Sequence, residues 1–167
     1  MRKNRKIIYW AGFLFTIPVA LVSYINSSLL EQYVGKDYVG LVYVFSSLLC
    51  ILGLLQMPHI LSRIGNRKTI LYSCFFSFLS LLLLALGNSA VIILPAFAIY
   101  FISIGFIISS LDIYMEDFSL NSSVGTSRGF YLTIVNLSWV IAQLISGSII
   151  AKSSFLGIYM LGALFIV

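Results

Sequence analysis

Charge is scarce in this sequence: Asp, Glu, Lys and Arg make up only 9% of its 167 residues. A soluble domain carries about 25%, so this chain lacks the groups to solvate a globular surface. Histidine occurs once, as His59, and cysteine twice, as Cys50 and Cys74. There is no CxxC and no His/Cys cluster, so neither a zinc site nor a redox pair is supported, and no metal or cofactor is expected. Both cysteines lie in apolar runs and read as packing residues. The one acidic cluster, Asp112, Glu116 and Asp117, has no histidine beside it. That removes the usual constellation for an enzyme acting on lipids from within the membrane, and no catalytic residue is assigned. Tripeptides of N-x-S spacing at Asn26, Asn121 and Asn136 fall near a span end, in an inner loop and within a span, so glycosylation is discounted.

What is present is apolar. Hydrophobic residues reach 60% and the mean hydropathy is +1.07, which makes the lipid bilayer the natural solvent. A bilayer core about 30 Å thick needs roughly 20 apolar helical residues. Five runs of that size occur, at 7–30, 38–61, 69–86, 90–111 and 130–151, and a sixth over 155–167 is too short to span. The predicted fold class is all-α, a polytopic transmembrane helix bundle with five complete spans and a truncated sixth. The chain is therefore expected to be an incomplete product. The first run is too long for a signal peptide and has no convincing cleavage site after it, so it reads as a retained span.

The positive charge of +5 does not point to nucleic acid, because the cations flank apolar runs instead of forming a basic stripe. Arg2, Lys3, Arg5, Lys6, Arg63, Arg67, Lys68 and Arg128 fall on one side of the predicted topology, and only Lys36 and Lys152 on the other. Eight against two places the N-terminus in the cytoplasm, with the plasma membrane as the expected location. The short links Gly87-Asn88-Ser89 and Lys152-Ser153-Ser154 imply antiparallel neighbours.

Small residues recur at contact spacing: Ser138, Ala142 and Ser146 with Gly147 in the fifth run, Gly105 and Ser109 in the fourth, Ser73 and Ser77 in the third. In lipid such residues let backbones approach. Pro18 removes a backbone bond to the Leu14 carbonyl, so a kink is expected in the first run.

Every Asp, Glu, Lys and Arg lies at a span end or in a loop. A pathway through this bundle must then be lined by neutral polar groups. Candidates are Asn136, Trp139 and Gln143 on one face of the fifth run, Thr16, Ser23 and Ser27 on one face of the first, and Tyr100 in the fourth. The alternative for the same residues is hydrogen-bonding glue between helices.

The link between the second and third runs reads Pro58-His59-Ile60-Leu61-Ser62-Arg63-Ile64-Gly65-Asn66-Arg67-Lys68. It resembles the cytoplasmic signature of the major facilitator superfamily, Gly-x-Leu-x-Asp-Arg-x-Gly-Arg-Arg/Lys. Arg63, Gly65 and Arg67 match, Ile60 is a conservative match, and Pro58, Ser62 and Asn66 depart from it. A second likeness is Asp112 and Glu116 closing the fourth run, followed by Arg128-Gly129 opening the fifth. The family's antiporter Gly-Pro is replaced by Ala142-Gln143, and Ile102 stands where drug-proton antiporters carry arginine. The resemblance implies a secondary transporter of twelve helices, of which this chain would supply the N-terminal six. Its partners would be a small-molecule solute and either a C-terminal six-helix half or a second copy. It also implies a cytoplasmic charge cluster, with Arg63 or Arg67 expected to pair with Asp112. The competing expectation is a non-transporting membrane scaffold or an inactive fragment.

Overall fold

The computed structural model describes residues 2–118, 124–150 and 155–166, with side chains over 6–118, 125–149 and 155–166. Asn121, the Lys152–Ser154 link, Ala151 and Val167 lie outside these residues, as do the side chains of Arg2, Lys3 and Arg5. The described chain is helical: α1 (Arg2–Val34), α2 (Val39–Leu55), α3 (Met57–Ile64), α4 (Asn66–Leu86), α5 (Ala90–Asp117), α6 (Val124–Ile150) and α7 (Phe155–Ile166). Five stretches are long and apolar enough to cross a membrane, the second of them, Lys36–Leu55, being α2 with the 3-10 turn Lys36–Tyr38 ahead of it.

The expected spans hold in number and order, but their ends differ. The second does not run to residue 61. It stops at Leu55, and Gln56 leads into the separate helix α3. Pro58, in the first turn of α3, has no N–H to offer the Leu54 carbonyl. The Gln56 N–H bonds to the Gly53 carbonyl (3.0 Å) instead, a tighter turn that closes the span. The first span continues past residue 30 to Val34, where Gly35 ends it at φ 81°. The fourth extends past residue 111 to Asp117, and the fifth starts at Val124 instead of 130. Hydropathy marks the stretch that lipid covers, whereas helical hydrogen bonding continues into the polar residues beyond it.

The helices form two layers. In the front layer α2 packs on α5, α5 on α1, and α1 on α6, so α2 and α6 are the flanks. Behind them α4 packs on α5 and α7, and α7 packs on α1. The core follows the inner faces of α1 and α5, with Leu21, Leu30, Ile93, Phe97 and Ile107 fully enclosed, and is completed by Leu81, Leu84, Ile158 and Tyr159 from behind. Ile8, Met115 and Tyr131 form a smaller cluster near the start of α1.

The small-residue stripe of α6 faces inward, with Ser138, Ala142 and Ser146 buried, although Gly147 is exposed. Ser73 and Ser77 of α4 are likewise buried. Gly105 brings α5 against Cys50 of α2, since a Cβ there would stand 2.6 Å from the Cys50 sulfur. Gly12 plays the same part between α1 and α6, where a Cβ would overlap the Tyr131 ring. Helix α1 passes through Pro18 unbroken in its helical assignment. At the far end of α1 the Tyr33 hydroxyl donates to the Gly87 carbonyl (3.0 Å), tying it to the α4–α5 turn.

Candidate functional site: a groove along α1 and α5

Two hollows follow the α1–α5 seam. The first, about 320 Å³, is walled by Ser23 and Asn26 of α1, Tyr43 and Cys50 of α2, Tyr100 and Gly105 of α5, and Trp139 of α6. The second, about 150 Å³, holds Thr16 of α1, Asp112 of α5, and Tyr131 and Trp139 of α6. Val19, Ile104, Ile108 and Trp139 border both, so the two form one groove with the Trp139 indole at the junction. A larger crease of about 840 Å³ between α2 and α5 is lined by Leu41, Phe45, Leu49, Pro95 and Ile99, with Tyr38 and Ser46 as its only hydroxyls among the described residues. Such walls suit acyl chains better than a hydrophilic solute.

The structure divides the expected cavity residues. Thr16, Ser23, Tyr100 and Trp139 line the groove. Ser27 is exposed away from it, with its hydroxyl on the Tyr24 carbonyl (3.3 Å). Asn136 is exposed and Gln143 half-buried, and neither borders either hollow. At about 100° per residue, Trp139 lies beside the inward stripe of Ser138 and Ala142, while Asn136 lies farthest round the helix. The shared face of those three residues is therefore real, but only one of its edges meets the groove.

Thr16 and Ser23 spend their hydroxyl protons on their own helix, on the carbonyls of Gly12 (2.6 Å) and Ala20 (2.9 Å). Tyr100 is different. It is 3% exposed, and its hydroxyl has no hydrogen-bond partner among the described residues. Asn26, treated in the sequence only as a discounted glycosylation tripeptide, is buried here and its Oδ1 accepts from the Tyr159 hydroxyl at 2.7 Å. That bond fixes the amide through its oxygen, in the wall of the hollow. The available signal was an asparagine three residues after Ser23 on the same face of an apolar span. Tyr43 adds an aromatic wall, edge-on to Phe97 (centroids 5.0 Å apart) and Phe101 (6.4 Å).

At the Asp112 end, the expected pairing is corrected. Asp112 Oδ2 lies 3.7 Å from an Arg128 nitrogen, and among the described residues neither Arg63 nor Arg67 forms an ion pair. The reason is helical reach: α6 begins a turn early, which carries Arg128 alongside Asp112 on α5. Arg63 and Arg67 sit on either side of Gly65 and are exposed. Gly65 adopts φ 79°, ψ 159°, a region essentially confined to glycine, and so makes the sharp α3–α4 turn. Asn66, which departs from the signature, donates through Nδ2 to the Ser110 carbonyl (3.0 Å) and joins α4 to α5 where a charge pair was expected. Glu116 and Gly129 are exposed, and the Gly129 carbonyl accepts from Thr133 (3.0 Å).

Fold and site together define a helical integral membrane protein with a groove between helices that is uncharged at Tyr100 and carries Asp112 at its other end. No family model matches the sequence, and no curated protein is significantly similar to it.

Proposed function

We propose that this chain is one six-helix bundle of a major-facilitator-type secondary transporter, moving a small solute across the plasma membrane by alternating access. The observation that supports this reading most is the groove: a continuous hollow on the α1–α5 seam, bordered by apolar and neutral polar side chains, with Asp112 at one end. A second bundle, either a C-terminal half or a second copy, closes the groove from the open side between α2 and α6. The two bundles rock about the solute, exposing it to one compartment and then the other. The N-terminus and the turn at Gly65 face the cytoplasm, on the Lys/Arg asymmetry.

Alternating access is testable without a known solute. In a background with Cys50 and Cys74 replaced by serine, Val19→Cys at the groove junction is expected to react with an impermeant maleimide from either side, in right-side-out and in inside-out vesicles. Ser62→Cys, exposed on α3, is expected to react from the cytoplasmic side alone. If Val19→Cys reacts from one side only or from neither, the alternating-access reading falls. Labelling of Ser62→Cys from outside overturns the orientation.

A further inference from the structure

We infer that the hollow at Tyr100 binds a small, uncharged aromatic solute carrying an acceptor oxygen. This deepens the transport reading and rests on it for the site's role.

Size comes first. At about 320 Å³ the hollow is at the lower end of the ~300–1,000 Å³ range of small-molecule sites. It has room for about ten waters at ~30 Å³ each, or one ring with a short substituent.

Charge comes second. Among the described residues no Asp, Glu, Lys, Arg or His borders this hollow, and Asp112 lies in the neighbouring one, already beside Arg128. An ion entering would surrender its hydration with no countercharge to replace it. A neutral solute pays no such penalty.

Shape and polarity complete the case. Tyr43, Phe101 and Trp139 provide ring surfaces on three different helices, α2, α5 and α6. Aromatic faces accept another ring edge-on or offset. Against them stand one hydroxyl without a hydrogen-bond partner among the described residues and one amide. The Tyr100 hydroxyl is almost wholly buried and unbonded. The Asn26 amide is held in place through its own oxygen by Tyr159. A buried hydroxyl left without a bond is costly, so a solute oxygen that restores it gains affinity and selectivity together.

The test uses Trp139 as reporter. The sequence has two tryptophans, and the other, Trp10, is exposed on α1 outside the groove. In the full chain carrying Trp10→Phe, Trp139 emission is titrated with three matched quenchers: 4-nitrobenzyl alcohol, 4-nitrobenzoate and 4-nitrobenzylammonium. The alcohol is expected to quench saturably, the two ions only linearly. Tyr100→Phe is expected to raise the alcohol's apparent Kd about five- to tenfold. Tyr72→Phe, at an exposed ring on α4 that borders neither hollow, is expected to change it less than twofold, with thermal unfolding checking that both variants fold.

Saturable quenching by either ion as tight as that of the alcohol overturns the uncharged class. Linear quenching by the alcohol, or a Kd unmoved by Tyr100→Phe, means that the solute does not reach the hydroxyl, and the site is dropped. Failure of the transport reading is separate: saturable, Tyr100-dependent binding combined with one-sided labelling of Val19→Cys leaves the site standing without translocation.

Discussion

Helices α2 and α5 are almost equally apolar, yet they do opposite things. Their most hydrophobic stretches have hydropathies of 2.2 and 2.6, but 11% of the first is buried inside the protein against 39% of the second. Helix α5 touches α4, α2 and α1, whereas α2 leans chiefly on α5. In water such a difference would show as amphipathicity, because the outward face of α2 would have to be polar. In lipid the outward face is as apolar as the core, so burial is decided by the number of neighbours and by how closely backbones approach. The least hydrophobic span, Gly125–Ile149, is also poorly buried, at 17%.

Removing ring volume tests the contrast most severely. Phe97, on the enclosed face of α5, is 1% exposed, and Leu52 on α2 is 59% exposed. Phe97→Ala is expected to cost about 3 kcal/mol, in the usual range for emptying a packed site. Leu52→Ala should stay within about 0.5 kcal/mol, as surface changes do. Reversible unfolding in mixed micelles measures both, and equal losses would erase the distinction between the two helices.

Glycines sharpen it further. A Cβ at Gly105 meets the Cys50 sulfur at 2.6 Å, while one at Gly40 meets nothing within 4 Å. Gly105→Ala is expected to destabilise by about 1–2 kcal/mol as Cys50 and α2 are pushed aside. Gly40→Ala, in the first turn of α2, should be neutral or stabilising by up to about 1 kcal/mol. The same unfolding assay decides, and a neutral Gly105→Ala would mean that the α2–α5 seam is loose.

The smallest effect belongs to the groove's charged end. Arg128 and Asp112 are 63% and 42% exposed, so a double-mutant cycle to alanine should give a coupling of about 0–1 kcal/mol that fades with added salt. The parallel cycles of Asp112 with Arg63 and with Arg67 should be additive. Coupling in either of these would restore the pairing that the signature implied.

Much of the scaffold was legible in the sequence because lipid enforces it. Apolar runs of bilayer length must be helices, and the period-four stripe Ser138, Ala142, Ser146 had only one inward face to take. Gly65 was readable for a related reason, since a two-helix corner needs backbone that glycine alone adopts readily. What escaped depends on partners distant in the chain. Nothing local says that Asn26 meets Tyr159 across 133 residues, or that Tyr100 has no partner. Asn136 and Gln143 fall outside the two hollows because a helical face can be read from spacing, but its rotation about the axis is set by packing. The ends of α2 and α6 were missed because a proline turn and a polar first turn lie outside what hydropathy records.

The break at Gln56 also sets the span lengths unequally. At 1.5 Å per residue, α2 reaches only about 26 Å, whereas α1 and α5 reach about 50 and 42 Å. Against a hydrocarbon core of about 30 Å, the long helices have slack to spend in tilt or overhang, and α2 has none. A change in membrane thickness therefore strains the three unequally, and it shifts the Tyr43 wall of the groove relative to the helices that carry Asn26 and Tyr100.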